Sequence, residues 1–159
     1  MRRRTFLASA GTVSSALLSG CQSPLADRSV RLGYLDVVNS DSEPHRFHVR
    51  VHRDDDRVHD STHEIEGVDG NVHHGEAVEC SWGDTAGEYV VSARVDGEEW
   101  HEQSLVPAES MVSSGTDCVV VGVWYRTDGL GFQVAAGCDR DYDGLCSFAT
   151  TAGQPSSTQ

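Results

Sequence analysis

The sequence predicts an all-β domain, a two-layer antiparallel β-sandwich of about seven to eight strands. Three observations point there. From Val30 onward, apolar residues recur with a period of two in several segments, the signature of half-buried strands. Turn signals such as Asp54-Asp55-Asp56, Asp96-Gly97 and Asp128-Gly129 separate those segments. No stretch sustains the period expected of a helix. A closed barrel is the competing arrangement of the same strands.

Each element follows from its residues. In the first strand Val30, Leu32, Tyr34 and Val38 share one face, with Leu35 and Val37 on the other. Residues 39–44 form a polar turn. Phe47, Val49 and Val51 then alternate with His48, Arg50 and His52, an inward-outward reading. Residues 57–66 alternate weakly, and 67–75 form a loop rich in Gly, Asp, Asn and His. Val78, Cys80 and Trp82 point one way. Tyr89, Val91, Ala93 and Val95 alternate with polar neighbours up to Asp96-Gly97, a dipeptide favoured in type I′ hairpins. Residues 98–105 return, with Trp100 available to the core. After a connection over 107–116, residues 118–125 are apolar on both faces, as in a central strand. Leu130, Phe132 and Val134 make the last strand, and 150–159 read as an unstructured Ser/Thr-rich tail.

Charge narrows the function. The chain has 25 acidic and 12 basic residues, a formal net charge of −13, and every basic one is arginine. That balance argues against nucleic acid, whose phosphates need a basic surface, and against electrostatic docking to anionic lipid. It suits a chain kept dispersed in concentrated salt.

The beginning of the chain reads as an export leader. Arg2-Arg3-Arg4 precede a short apolar run ending at Leu17-Leu18, and the run is too short for a bilayer span of roughly 20 residues. Arg3-Arg4-Thr5-Phe6-Leu7 resembles the twin-arginine export motif, carried by Arg3, Arg4, Phe6 and Leu7. Leu18-Ser19-Gly20-Cys21 resembles a lipobox. The resemblance implies that Cys21 is lipidated, becomes the first residue after cleavage, and holds the chain on the outer face of the cell membrane. The implied diacylglyceryl group supplies the two chains that durable anchoring needs. The expected layout is a signal peptide over 1–20, a tether over 21–29, the sandwich over 30–136 and a disulfide-containing tail over 137–159.

Four cysteines remain: Cys80, Cys118, Cys138 and Cys146. An even number in an exported chain reads as disulfides. The preferred pairing joins Cys80 to Cys118 across the sheets and Cys138 to Cys146 around a short loop. Its rival ties Cys118 to Cys146 or Cys138. No Cys-x-x-Cys suggests a redox motif or zinc ribbon.

Candidate ligands lie among the eight histidines. His48 and His52 share the outward face of one strand, and His59 and His63 repeat that spacing on the next. An even-numbered turn between them would put all four on one face, where they could approach a metal; an odd one would scatter them. Asp139, Asp141 and Asp143, with Gly144, resemble the start of a calcium loop, although Thr150 stands where the bidentate glutamate belongs. A type 1 copper site is excluded because no histidine closely follows Cys80 or Cys118. No nucleophile elbow, phosphate loop or His-Glu-x-x-His occurs, so neither catalysis nor a bound cofactor is expected.

A further resemblance covers about fifteen residues. Gly87-Glu88-Tyr89-Val90-Val91, running into Asp96-Gly97, resembles the Gly-x-Tyr hairpin of immunoglobulin-like domains, whose tyrosine hydroxyl bonds back to the chain and pins a corner between the sheets. The Asp84-to-Tyr89 spacing is one residue longer than in antibody domains, and Val91 stands where those carry a cysteine. Together with the arginine-only, acidic composition, the whole chain resembles small immunoglobulin-like lipoproteins of halophilic archaea. The implied function is a lipid-anchored extracytoplasmic binding or envelope-structural module. The alternative is a lipoprotein that binds a divalent metal or calcium through the surface histidines or residues 139–143.

Overall fold

The structure, a computed structural model, describes residues 29–107, 117–138 and 143–151. Eight strands and one short helix follow in order: β1 (Arg31–Asn39), β2 (His45–Arg53), β3 (Asp56–Ile65), β4 (His74–Ala77), β5 (Tyr89–Val95), β6 (His101–Leu105), β7 (Cys118–Arg126), β8 (Gly129–Ala136) and α1 (Ser147–Thr151). They form two four-stranded sheets, β4-β1-β7-β8 and β3-β2-β5-β6. The predicted sandwich is what the chain adopts.

The core lies between the sheets and follows the alternation. β1 contributes Leu32, Leu35 and Val37, β2 Phe47, Val49 and Val51, β5 Tyr89, Val91, Ala93 and Val95, and β7 Val119, Val121 and Val123. β7 is flanked on both sides, as its unbroken apolar run predicts. The sheets are not wholly antiparallel, since β1 and β7 run parallel. Parallel neighbours need a long crossover, and here the whole second sheet intervenes in sequence.

Several local expectations change. Period two breaks in β1, where Leu32 pairs with Val119 and Tyr34 with Val120, leaving Gly33 as an extra residue. That bulge turns Leu35 and Val37 to the face of Leu32 and sends Tyr34 outward. It also releases two carbonyls from the ladder. The Trp82 indole N–H donates to Leu32 O at 2.6 Å, and the Cys146 N–H donates to Gly33 O at 2.8 Å. A side chain at Gly33 would collide with the sulfurs of Cys118 and Cys138. Trp100, expected in the core, lies half-exposed on the outer face of the second sheet. It stands one position before His101, whose register partner Ala93 faces the core, so it falls on the outward side, and the turn at Asp96-Gly97 delivers it beside Arg94.

The disulfides correct the preferred pairing. Cys80 joins Cys146, with Cα atoms 5.7 Å apart, and Cys118 joins Cys138 at 5.8 Å. Cys80 belongs to the loop after β4 rather than to a strand, so no cross-sheet approach to Cys118 exists. Cys118 and Cys138 instead flank the open end of the β7–β8 hairpin, where Gly137 N–H donates to Cys118 O. The Cys80–Cys146 bridge fastens α1 to the sandwich, with Cys146 and Ala149 buried.

The tyrosine corner forms as the hairpin resemblance implies. Tyr89 is fully buried and its hydroxyl donates to Thr85 O at 2.7 Å.

Candidate functional site

Arg3, Arg4, Phe6, Leu7 and Cys21 lie outside the described residues, as do Asp139 and Asp141. Asp143 is exposed in the turn before Gly144. No helix among the described residues is long and apolar enough to cross a membrane.

The four histidines separate into two pairs. The β2–β3 turn has two residues, Asp54 and Asp55, both with positive φ, as a type I′ turn requires. With that even count alone, His59 and His63 would face outward beside His48 and His52. The register instead shifts: His52 pairs with Arg57 and Val51 with His59, leaving Val58 as a bulge. One extra residue inverts the face of everything after it. His59, Ser61 and His63 therefore stand opposite Val51, Val49 and Phe47 and point toward the core side. His48 and His52 remain outside. Among the described residues, no three His, Cys, Asp or Glu side chains gather closely enough to hold a metal.

The inward pair forms a hydrogen-bonded row. His59 Nδ1 lies 2.6 Å from Ser81 Oγ and His59 Nε2 lies 2.7 Å from Ser61 Oγ. Ser61 Oγ lies 2.7 Å from His63 Nε2, and His63 Nδ1 lies 3.4 Å from Glu76 on β4. One proton arrangement satisfies the row. In it the Ser81 proton goes to His59, the shorter contact, rather than to Val58 O at 3.3 Å; His59 then donates to Ser61, Ser61 to His63, and the remaining N–H of His63 faces the carboxylate. Burial holds the His59 pKa below its ordinary value, and the neighbouring His63 adds to that. Ser61 is shared between two imidazoles, so the row acts as a clasp between β3 and β4.

His45 makes a second clasp at the opposite end of β2. Its Nδ1 lies 2.6 Å from Asp96 in the β5–β6 turn, and its Nε2 lies 3.2 Å from Asp41 in the β1–β2 turn. Tyr125 packs edge-on against the ring. Burial opposes the imidazolium, but the hydrogen bonds and charges of Asp96 and Asp41 outweigh it and raise the His45 pKa. Asp96 is held low chiefly by the Arg46 N–H and then by His45. Asp41 is held low chiefly by the Ser42 N–H and then by His45.

These directions fix a pH window. A raised histidine pKa contributes stability below the unfolded value, about 6.5, and loses it as pH rises through the folded value. The lowered carboxylates contribute above about pH 4 and lose that contribution as pH falls through their folded values. The difference in melting temperature between the native chain and His45→Gln is therefore expected to be largest between about pH 4 and 6.5 and to shrink above it. A difference that stays constant from acid to alkaline pH would show that His45 acts by packing alone.

The outer face of the second sheet carries the most distinctive chemistry. Arg46, His48 and Arg50 of β2, Arg57 of β3 and Arg94 of β5 share it, a cation-rich patch on a chain of net charge −13. Asp60 collects three of them: His48 at 2.7 Å, Arg50 at 3.0 Å and Arg57 at 3.3 Å. The His48 hydrogen bond is the main reason its carboxyl is held low. Trp100 lies across this face, its ring 4.3 Å from the guanidinium carbon of Arg50 and 4.6 Å from that of Arg94.

Arg94 differs from its neighbours. Among the described residues no carboxylate lies within ion-pair distance of it, and its buried Nε has no partner. Its Nη2 donates to His48 Nδ1 at 3.3 Å. A guanidinium only donates, so His48 must accept there and donate from Nε2 to Asp60. Arg94, Arg46, His48, Thr62 and Glu64 line an open groove of about 670 Å³. Within it Arg46 engages Glu64 at 2.6 Å, and His45 engages Asp96. Among the described residues, Arg94 is the groove's cation without a carboxylate partner.

Sequence reasoning placed Arg50 and His48 outward but missed this cluster. The signal is Arg94, the polar position between Ala93 and Val95, but a tryptophan read as available to the core hides the ring that Arg94 packs on. No protein-family model matches the chain, and no curated protein matches it.

Proposed function

We propose that the protein is a lipid-anchored, extracytoplasmic binding module that presents the outer face of β3-β2-β5-β6 to a carboxylate-bearing ligand. The observation that carries the binding reading is Arg94, a guanidinium with no carboxylate beside it among the described residues, in a chain with a large surplus of acids. A charged donor held this way offers a charge-assisted, two-pronged contact to an incoming carboxylate. Trp100 adds a flat apolar surface resting on two guanidinium groups, suited to the apolar face of a sugar ring. Location is supported by the lipobox-like residues ending at Cys21 and by two disulfides, which persist in oxidising compartments.

Two measurements test the two halves separately. In an NMR titration, sodium glucuronate should shift the resonances of Arg94, Trp100 and His48 while glucose at equal concentration does not. An Arg94→Gln variant should lose the response; an equal response in that variant would remove the binding reading. Changing Cys21 to Ser should release the protein from membranes into the soluble fraction. Continued membrane association of that variant would mean that something other than the leading thiol holds it.

A further inference from the structure

We infer that the chain forms a two-fold homodimer by antiparallel pairing of β8 with β8 of a second copy, extending one sheet of the sandwich into eight strands.

A sandwich of two open sheets has four edges, here β4 and β8 in one sheet and β3 and β6 in the other. Each edge strand presents unpaired N–H and C=O groups along one side, a template for another chain unless it is blocked. Three of the four carry the usual blocks. β3 has Asp56, Arg57, Asp60 and Glu64 and a bulge at Val58. β4 is four residues long and carries His74 and Glu76. β6 is five residues long and carries His101 and Glu102.

β8 has none of these. Its eight residues, Gly-Leu-Gly-Phe-Gln-Val-Ala-Ala, include no ionisable group and no proline. It is the one described strand without an ionisable side chain, in a chain where 23% of residues are charged. Its register with β7 runs unbroken from Val119↔Ala136 to Arg126↔Gly129, so no bulge turns it aside. Gly131, Gln133, Ala135 and Ala136 are exposed, and Val134 is 43% exposed. A long, regular, uncharged edge of this kind is an association site.

The occupant follows from charge and symmetry. Two copies of a chain of net charge −13 repel, and pairing through β3, β4 or β6 would bring acidic side chains together. β8 against β8 opposes no charges at all. A two-fold axis perpendicular to the sheet keeps inward faces together, so the paired residues must share a face. Centring it on Gln133 pairs Phe132 with the second copy's Val134 and Leu130 with its Ala136, apolar with apolar on the inward side. Outside, Gly131 meets Ala135, small residues that leave the approach open, and Gln133 meets itself, amide against amide. The aromatic–β-branched pair occurs twice, a favourable cross-strand combination.

The test is sedimentation equilibrium of the purified chain at low and at molar NaCl. A dimer is expected, tighter in high salt as repulsion is screened. Gln133→Lys and Gln133→Glu should each weaken it at least about tenfold, because the axis sets like charges opposite one another. Mixing the two variants should restore a dimer, and Ser104→Lys on the β6 edge should leave the native dimer intact. Far-ultraviolet circular dichroism would show that the variants keep the fold. A native chain that stays monomeric at high salt and high protein concentration overturns the inference. So does a dimer indifferent to both Gln133 variants, or one that their mixture fails to restore.

Discussion

Replacing Cys80 and Cys146 together by alanine is expected to lower the unfolding free energy by about 4 kcal/mol, against about 3 kcal/mol for Cys118 with Cys138. The order follows from the chain each bridge closes. Cys80–Cys146 spans a sequence separation of 66, and Cys118–Cys138 one of 20. Closing the longer loop removes more freedom from the unfolded chain. The native state adds to the difference. Cys146 is buried in the core cluster and its N–H satisfies Gly33 O, so losing the bridge loosens α1 and exposes the β1 bulge. Cys118–Cys138 only reinforces a hairpin already paired along β7 and β8. Chemical denaturation of both double variants, each beside the native chain, reads the two values. A larger loss from the shorter bridge would mean that strain or residual unfolded structure outweighs loop closure.

Asn39→Asp is expected to cost about 3–5 kcal/mol at neutral pH, a loss comparable to breaking a buried ion pair. Asn39 ends β1 with no exposure at all. Its Nδ2 is directed at three carbonyl oxygens, donating to Glu43 O at 2.7 Å, Glu66 O at 3.1 Å and Ile65 O at 3.2 Å. Its Oδ1 accepts from the Asp41 N–H at 3.0 Å. One amide thus fixes the β1–β2 turn and joins the first sheet to the end of β3. Aspartate is nearly the same shape but turns the donor into a second acceptor, facing those carbonyls with a buried charge. The loss should lessen in acid, where the new carboxyl is protonated and regains one donor. Asn39→Ala should cost less at neutral pH, about 1–3 kcal/mol, since it orphans the carbonyls without burying a charge. Equal stability of the aspartate variant and the native chain would show that the amide donates nothing essential.

Both sites show how much was legible beforehand. The strands were readable because a residue's solvent preference repeats every two positions, and Phe47, Val49 and Val51 or Tyr89, Val91, Ala93 and Val95 obey that rhythm without interruption. The hairpin at Asp96-Gly97 and the tyrosine corner were readable because each is a local matter of backbone sign or of four residues. Asn39 was not. Its polar side chain at the end of a strand looks like the start of a turn, and the carbonyls it serves lie up to 27 residues away.

The sequence by itself determined the two-layer β architecture, the acidic, lysine-free surface, the oxidisable set of four cysteines and the export-like beginning. All of these are carried by residue identity or by short-range period. Tertiary structure decided which cysteines meet, which histidines face inward and which side chains surround Arg94. The physical reason is the single-residue bulge: Gly33 in β1 and Val58 in β3 each reverse the face of the strand that follows. Whether a bulge forms depends on what the opposite strand offers, and that is settled only when the sheets assemble.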